Sequence, residues 1–359
     1  MTSGREALLA QGPRGRRLAY DWASLAADPT GRQSLWMWHF TPEYGHRLAD
    51  RATELGSVSL DAIRELDPMH VHEALRASVD AAMYWQPPDE IDQLCAALGP
   101  EPFLPILSAA LDNPATDWWS TGLQSGHQMY VQWHNRHVES KYNPEPADVE
   151  LSIDVWERWR NDEIATEGRR AADKHHSDLH SNMSGRWWSS PHPRWITSRA
   201  LPGLGCAGLH YIEDRGGWPE ARLWNIEITT PQRVYEISSP EDWAALVDEY
   251  PLELTASYRH DWFRVTGVDS RWFVPDYRRV AVEYDALHLT VDGYLATAGR
   301  AVPVQAGSSV MAGFAPDDTF WFNRDGLRIR ADTRWHDEGD GQGDWVPADS
   351  PPPEPSTAA

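Results

Sequence analysis

The sequence predicts an α+β protein: a mainly helical N-terminal domain followed by a mixed, mainly antiparallel β-sheet domain. Three observations carry that prediction. From about Tyr20 to Leu111 apolar residues recur with the 3.6-residue period of helices. After residue 184 the period changes to 2. From there on strands outnumber helices and come in runs, which separates the domain from a doubly wound parallel sheet.

Taken in order, residues 1–17 read as a disordered arm, with Arg14-Gly15-Arg16-Arg17 as a solvated charge cluster. Residues 18–145 form the helical domain. Ser59 caps a short helix through Leu60, Ile63 and Leu66, and Asp67 caps the next, with Pro68 at its first position. Asp89 starts a third, whose stripe of Ile91, Leu94, Cys95 and Leu98 ends at Gly99-Pro100. Their apolar faces need a partner, expected to be the later sheet. Gln128–Trp133 alternates and reads as a strand, and Asn143-Pro144-Glu145-Pro146 as the domain boundary.

Residues 146–183 comprise a long charged helix, from about Ala147 to Lys174, and a histidine-rich turn. Residues 184–330 are the sheet domain. Its strands are expected at Arg186–Ser189, Ala207–Ile212, Arg222–Ile228, Arg233–Ile237, Trp262–Thr266, Ala286–Thr290, Val310–Ala312 and Thr319–Phe322. Two helices intervene, Pro240–Asp248 capped by Ser239, and Pro275–Tyr284. Residues 331–359 hold seven acids, one arginine and Pro351-Pro352-Pro353, and read as a disordered tail.

Composition narrows the function classes. The 359 residues are 41% hydrophobic and 24% charged, an ordinary globular balance, but the net charge is −22. Without a basic stripe, such a surface repels DNA and RNA and tolerates cationic, neutral or metal-bound ligands. No signal peptide or membrane-length apolar run is visible. Cys95 and Cys206 read as free thiols, so a reducing cytoplasm is expected. Twenty tryptophans are the outlier, mostly core residues with a few free to line a pocket.

His175-His176-Ser177-Asp178-Leu179-His180 is the densest run of metal-capable side chains, with His134 and His137 a second pair. A hydrated helix end explains the run, so no metal is expected. Gly203-Leu204-Gly205-Cys206-Ala207-Gly208 spells G-x-G-x-x-G but lacks the strand before and the helix after that a dinucleotide fingerprint needs. It reads as a glycine-rich loop. The segment Trp187-Trp188-Ser189-Ser190, followed by Arg194, Trp195 and Arg199, offers a stacking face, small hydroxyls and a guanidinium for an anion. Those are the parts of a nucleotide site.

The order of short motifs from residue 184 to 323 resembles that of bacterial and phage ADP-ribosyltransferase-like domains. The motifs are Gly185–Ser189, Trp195, Val234–Ile237, Ser239–Trp243, Tyr277–Leu287 (tyrosine where the pattern has tryptophan) and Trp321-Phe322. The whole chain is also similar to uncharacterised actinobacterial proteins, which implies a source and no activity. The first resemblance implies an ADP-ribosyltransferase-like fold and NAD bound in an aromatic cleft, with Tyr284 and Asp285 joining the ligand-facing residues. Ser189-Ser190 would stand in for that family's serine strand. The catalytic acid would be Glu227, Glu236 or Glu283, with His288 on the nicotinamide side; the residues do not choose among them. Two other readings stay open: a non-catalytic ligand-binding or interaction protein that keeps the fold, and a metal-dependent hydrolase using the His175–His180 run.

Overall fold

The computed structural model describes residues 4–27, 45–134, 144–173, 178–181, 183, 185–339 and 343–348. Its N-terminal helices are α1 (Arg5–Gln11), α2 (Pro13–Ala27), α3 (Gly45–Gly56), α4 (Leu60–Arg64), α5 (Pro68–Asp80), α6 (Glu90–Leu98) and α7 (Leu104–Leu111). The expected caps are in place. Ser59 accepts the Ala62 N–H, Asp67 those of Met69 and His70, and Asp89 that of Asp92. Each satisfies a donor that a helix start leaves open.

Residues 4–17 are not a disordered arm. α2 packs against α5 and α6 and carries Arg14 and Arg17 into the interior. Arg14 pairs with Asp92 and donates to the Ser78 carbonyl (2.8 Å). Arg17 reaches Asp89 (2.9 Å), Asp92 (3.2 Å) and Asp21 (3.4 Å). Two of the three charges that read as a solvated cluster, Arg14 and Arg17, are matched by carboxylates 72 to 78 residues later, while Arg16 donates to the Ala10 and Gln11 carbonyls.

Among the described residues nine strands build the main sheet: β1 (Gln128–His134), β2 (Ile196–Leu201), β3 (Gly205–Cys206), β4 (Glu220–Ile228), β5 (Val234–Ile237), β8 (Ala286–Leu289), β11 (Thr319–Trp321), β12 (Leu327–Asp337) and β13 (Trp345–Pro347). Two small ribbons pair β6 (Pro251–Glu253) with β7 (Phe273–Pro275), and β9 (Val302–Val304) with β10 (Gly307–Ser309). The sheet order is β13-β12-β4-β1-β2-β11-β8-β5, with β3 on the end of β2. Every pairing in it is antiparallel except β5 with β8. β1 precedes Asn143–Pro146 in sequence yet lies in the middle of the sheet, between β2 and β4.

The later helices are α8 (Ile153–Ala172), α9 (Ala207–His210), α10 (Pro240–Glu249), α11 (Thr255–Thr266), α12 (Tyr277–Glu283) and α13 (Val291–Thr297). Ser239 caps α10 through the Asp242 N–H. One core joins the N-terminal helices (Leu9, Trp22, Leu75, Leu107) to Ile237, Trp243, Leu287 and Tyr294. A second cluster holds Tyr130, Trp195, Ile226 and Trp321, and a third Cys206, Leu223, Trp335 and Trp345. Alternation along β1 sends Tyr130 to the second and Met129, Val131 and Trp133 to the third. No single described helix is long and apolar enough to cross a membrane.

Five local expectations are corrected. Trp262–Thr266 lies inside α11, where Tyr258 and Trp262, four residues apart, stack with ring centroids at 4.0 Å; helical packing overrides their β propensity. Ala207–Ile212 opens as helix α9 rather than as a strand. Arg186–Ser189 and Val310–Ala312 form no named strand, Met311 making an isolated bridge to Ala298, and the two segments meet where Ser189 and Ala312 exchange hydrogen bonds. The acidic segment after Ala331 is not disordered as far as it is described. It continues β12, pairs with β4 and β13, and buries Trp335 and Trp345.

Removing one partner of a buried ion pair leaves the other charge without compensation. Asp92→Asn is therefore expected to lower unfolding free energy by about 3 kcal/mol, read from urea denaturation. Asp61→Asn, at an exposed i,i+3 pair with Arg64, should leave the denaturation midpoint essentially unchanged.

Candidate functional site

The sheet opens between two of its central strands. β1 pairs with β4 from Gln128 to His134, but with β2 only from Gln128 to Tyr130. Extending the β1–β2 register would place Val131 opposite Ile196 and Trp133 opposite Arg194. Instead the strands part, and these four residues line a cleft of about 330 Å³. That is small-molecule size. Trp133, Trp187, Trp218 and Phe314 give it aromatic walls, Trp133 and Trp218 stacking on each other at 4.9 Å.

Three ionisable groups converge there. The Glu213 carboxylate accepts the Gly313 N–H (2.6 Å) and meets the Tyr294 hydroxyl (3.1 Å). Burial pushes its pKa up to about 8. Asp318 accepts the Ala315 N–H (2.8 Å), and burial likewise raises it to about 8. Arg194 donates to the Ser190 hydroxyl (2.9 Å) and the Gly313 carbonyl (3.2 Å), both neutral. Among the described residues it forms no ion pair. The Gly313–Asp318 loop forms one wall, and Gly313 must be glycine: its φ is +77°, and a Cβ would lie 2.6 Å from that of Trp188.

Behind this loop lies a second charged group. Asp317, at φ +66°, accepts from the Arg199 backbone N–H and Nε, both at 2.6 Å. Its Oδ1 also faces His288 Nε2 at 3.4 Å, and His288 Nδ1 meets Glu236 at 2.5 Å. Glu236 accepts the Leu123 N–H (3.0 Å), and Arg199 returns to the same strap through the Thr121 hydroxyl (2.8 Å) and the Thr121 and Gly122 carbonyls (3.3 Å each). Trp118 stacks on the guanidinium at 4.6 Å. Burial disfavours charge on His288, which is fully buried, but Asp317 and Glu236 outweigh it and raise its pKa to about 9. Burial would likewise raise Glu236; its bonds to His288 and the Leu123 N–H outweigh that and lower it.

The residues singled out in the sequence are therefore dispersed. Trp187 lines the cleft. Trp188 borders it through Gly313, and Ser190 holds Arg194. The Ser189 hydroxyl and main chain are taken up by Ala312, and its carbonyl accepts from the Tyr277 hydroxyl. Trp195 points into the second core cluster, its indole N–H donating to the Pro146 carbonyl. Arg199 is saturated by Asp317 and the strap. Tyr284 packs against Tyr235, and Asp285 pairs with Arg233 (2.9 Å), both away from the cleft lining. Glu227 pairs with Arg330, and Glu236 joins His288. Glu283 ends α12. None of these three acids lines the cleft.

Glu213 and Asp318 were not singled out, because nothing in their sequence neighbourhoods marks them as buried. Of the histidine run, His175, His176 and Ser177 lie outside the described residues, as does His137. The Asp178 carbonyl meets His260 Nε2 (3.1 Å), and His180 packs edge-on to Phe263. No cluster of three or more metal-capable side chains occurs among the described residues. The G-x-G-x-x-G segment turns from β2 into β3 and the four-residue α9. No protein-family model, curated protein or solved structure matches the chain.

The raised groups make stability depend on pH with a defined sign. Glu213 and Asp318 ionise at 4.5 and 3.8 when unfolded and near 8 when folded. Between those values the folded state holds more protons, so stability falls as pH rises. His288 adds stability in full below 6.5, which is lost as pH rises through about 9. Thermal melts are thus expected to decline from pH 6 to 9. Glu213→Gln should flatten that decline by an amount on the order of 1–2 kcal/mol, and an unchanged slope would contradict the assignment.

Proposed function

We propose that the chain binds a small anionic ligand carrying a planar ring, of the nucleotide class, in the cleft between β1 and β2. The observation that carries this reading is Arg194. The arginines Arg14, Arg17 and Arg199 are buried against carboxylates, whereas Arg194 is exposed at an aromatic cleft and, among the described residues, hydrogen-bonds to neutral acceptors, with the Glu213 and Asp318 carboxyl groups near but not paired with it. A guanidinium so placed is a partner for phosphate or carboxylate. Trp187, Trp133 and Trp218 supply faces for a ring. Protonated Glu213 and Asp318 add hydrogen-bonding capacity without opposing a negative ligand.

NAD, which the resemblance to ADP-ribosyltransferase-like domains implies, belongs to this ligand class, and Trp187 is common to that motif order and to the cleft. In that reading transfer would require a glutamate at the ribose as the oxocarbenium develops. Binding without turnover is the second reading. It is favoured by the engagement of Glu227 with Arg330 and of Glu236 with His288, which occupies both carboxylates.

Titration with AMP, nicotinamide mononucleotide and NAD⁺ should quench tryptophan fluorescence and release heat for at least one of them. Arg194→Met should weaken that binding about tenfold or more, the worth of a charge-assisted hydrogen bond. Trp187→Ala should weaken it by a comparable factor through lost stacking. Absence of binding by all three would refute the proposal. Release of nicotinamide from labelled NAD⁺ separates turnover from binding alone.

A further inference from the structure

Among the described residues, part of the β1 main chain has no partner inside the sheet. The His127 carbonyl accepts the Ala200 N–H, so odd-numbered residues of this strand direct their main-chain groups toward β2. The β1–β4 register runs without a shift from Gln128 to His134, so the alternation holds to the end of the strand. Trp133 therefore aims its N–H and carbonyl into the opening, and Val131 aims its carbonyl there, past the last β2 pairing at Tyr130. A strand edge left this way carries donors and acceptors that need partners. Both residues line the cleft, and Arg194 and Ile196 line its other side.

We infer that the uncovered β1 edge at Val131–Trp133 reads the hydrogen-bonding edge of a nucleobase, while Arg194 takes the phosphate across the opening. The inference rests on the nucleotide-class reading and adds what that reading leaves open: selection by the base edge rather than by stacking alone. The donor and acceptor of one residue, with the carbonyl two residues before it, form a planar row. A base whose rim alternates donor and acceptor matches such a row. A hydrophobic ring of the same size leaves those main-chain groups unpaired, and a site built around hydrogen bonds rejects such a ring. Indole walls stack any ring and do not discriminate between bases.

The test uses the full chain and three probes: AMP, ribose 5-phosphate, and the nucleotide in which benzimidazole replaces adenine. Affinity is measured by calorimetry, and amide hydrogen exchange is followed at Trp133. The expected result is that AMP slows exchange at Trp133 and that the benzimidazole analogue binds about tenfold or more weakly, the loss of one to two hydrogen bonds, without slowing it. Ribose 5-phosphate should bind through Arg194 and leave the Trp133 amide unprotected. If AMP binds in an Arg194-dependent manner but Trp133 exchanges freely, or the analogue binds as tightly as AMP, the inference is overturned and the nucleotide reading survives. If neither AMP nor the analogue binds, the inference falls, and the nucleotide reading falls with it only when nicotinamide mononucleotide and NAD⁺ also fail to bind.

Discussion

Asp317 is the residue on which the centre of this molecule turns. It joins Arg199 on β2 to His288 on β8, and His288 passes the contact to Glu236 on β5. Glu236 and Arg199 both hold the Thr121–Leu123 strap, so the contacts close into a ring. With His288 protonated, the ring contains two positive and two negative groups and sums to zero. Buried ions are tolerated when partners and hydrogen bonds satisfy them, and each member here has at least two. The φ of Asp317 fits the same logic, because aspartate tolerates the left-handed region better than most residues and the geometry lets both carboxylate oxygens reach Arg199.

The cleft depends on that anchor. Asp317 and Asp318 are neighbours with opposite duties, one in the charged ring and one in the cleft lining, so fixing the first positions the second. The opening itself follows from a conflict between cores. Trp195 buries its indole in the second cluster, and its carbonyl accepts the Trp321 N–H (3.0 Å), which keeps the start of β2 with β11. Beyond Tyr130, β1 stays with β4, where Trp133 joins Trp218 and Trp345. Two aromatic commitments on opposite sides pull the strands apart.

Much of the secondary structure was legible because its determinants are local. Ser59, Asp67, Asp89 and Ser239 cap the helices that their spacing announced, and alternation located β1, β4, β5, β8 and β11. What could not be read depends on distant partners. Arg14 and Arg17 look like a solvated cluster until Asp89 and Asp92 are brought beside them. Trp262–Thr266 has the composition of a strand, yet its packing with Tyr258 requires a helix. The site was legible only in fragments. Trp187 and the guanidinium chemistry of the Arg194–Arg199 segment were visible, but which of those two arginines forms no ion pair among the described residues is a property of the fold. Burial makes Glu213 and Asp318 unusual, and no motif encodes burial.

The first helix is tied to one of the last. Arg5 on α1 donates to both carboxylate oxygens of Asp292 on α13, at 2.5 and 3.0 Å, and Gly12 lies against the main chain of Leu295 and Ala296. Chains emerge from the ribosome N-terminus first, at roughly 5–20 residues per second. The helical layer must therefore wait, for many seconds, with an apolar face unmatched until residue 296 has left the exit tunnel. The α1–α2 layer is thus made well before the α13 surface that completes its packing.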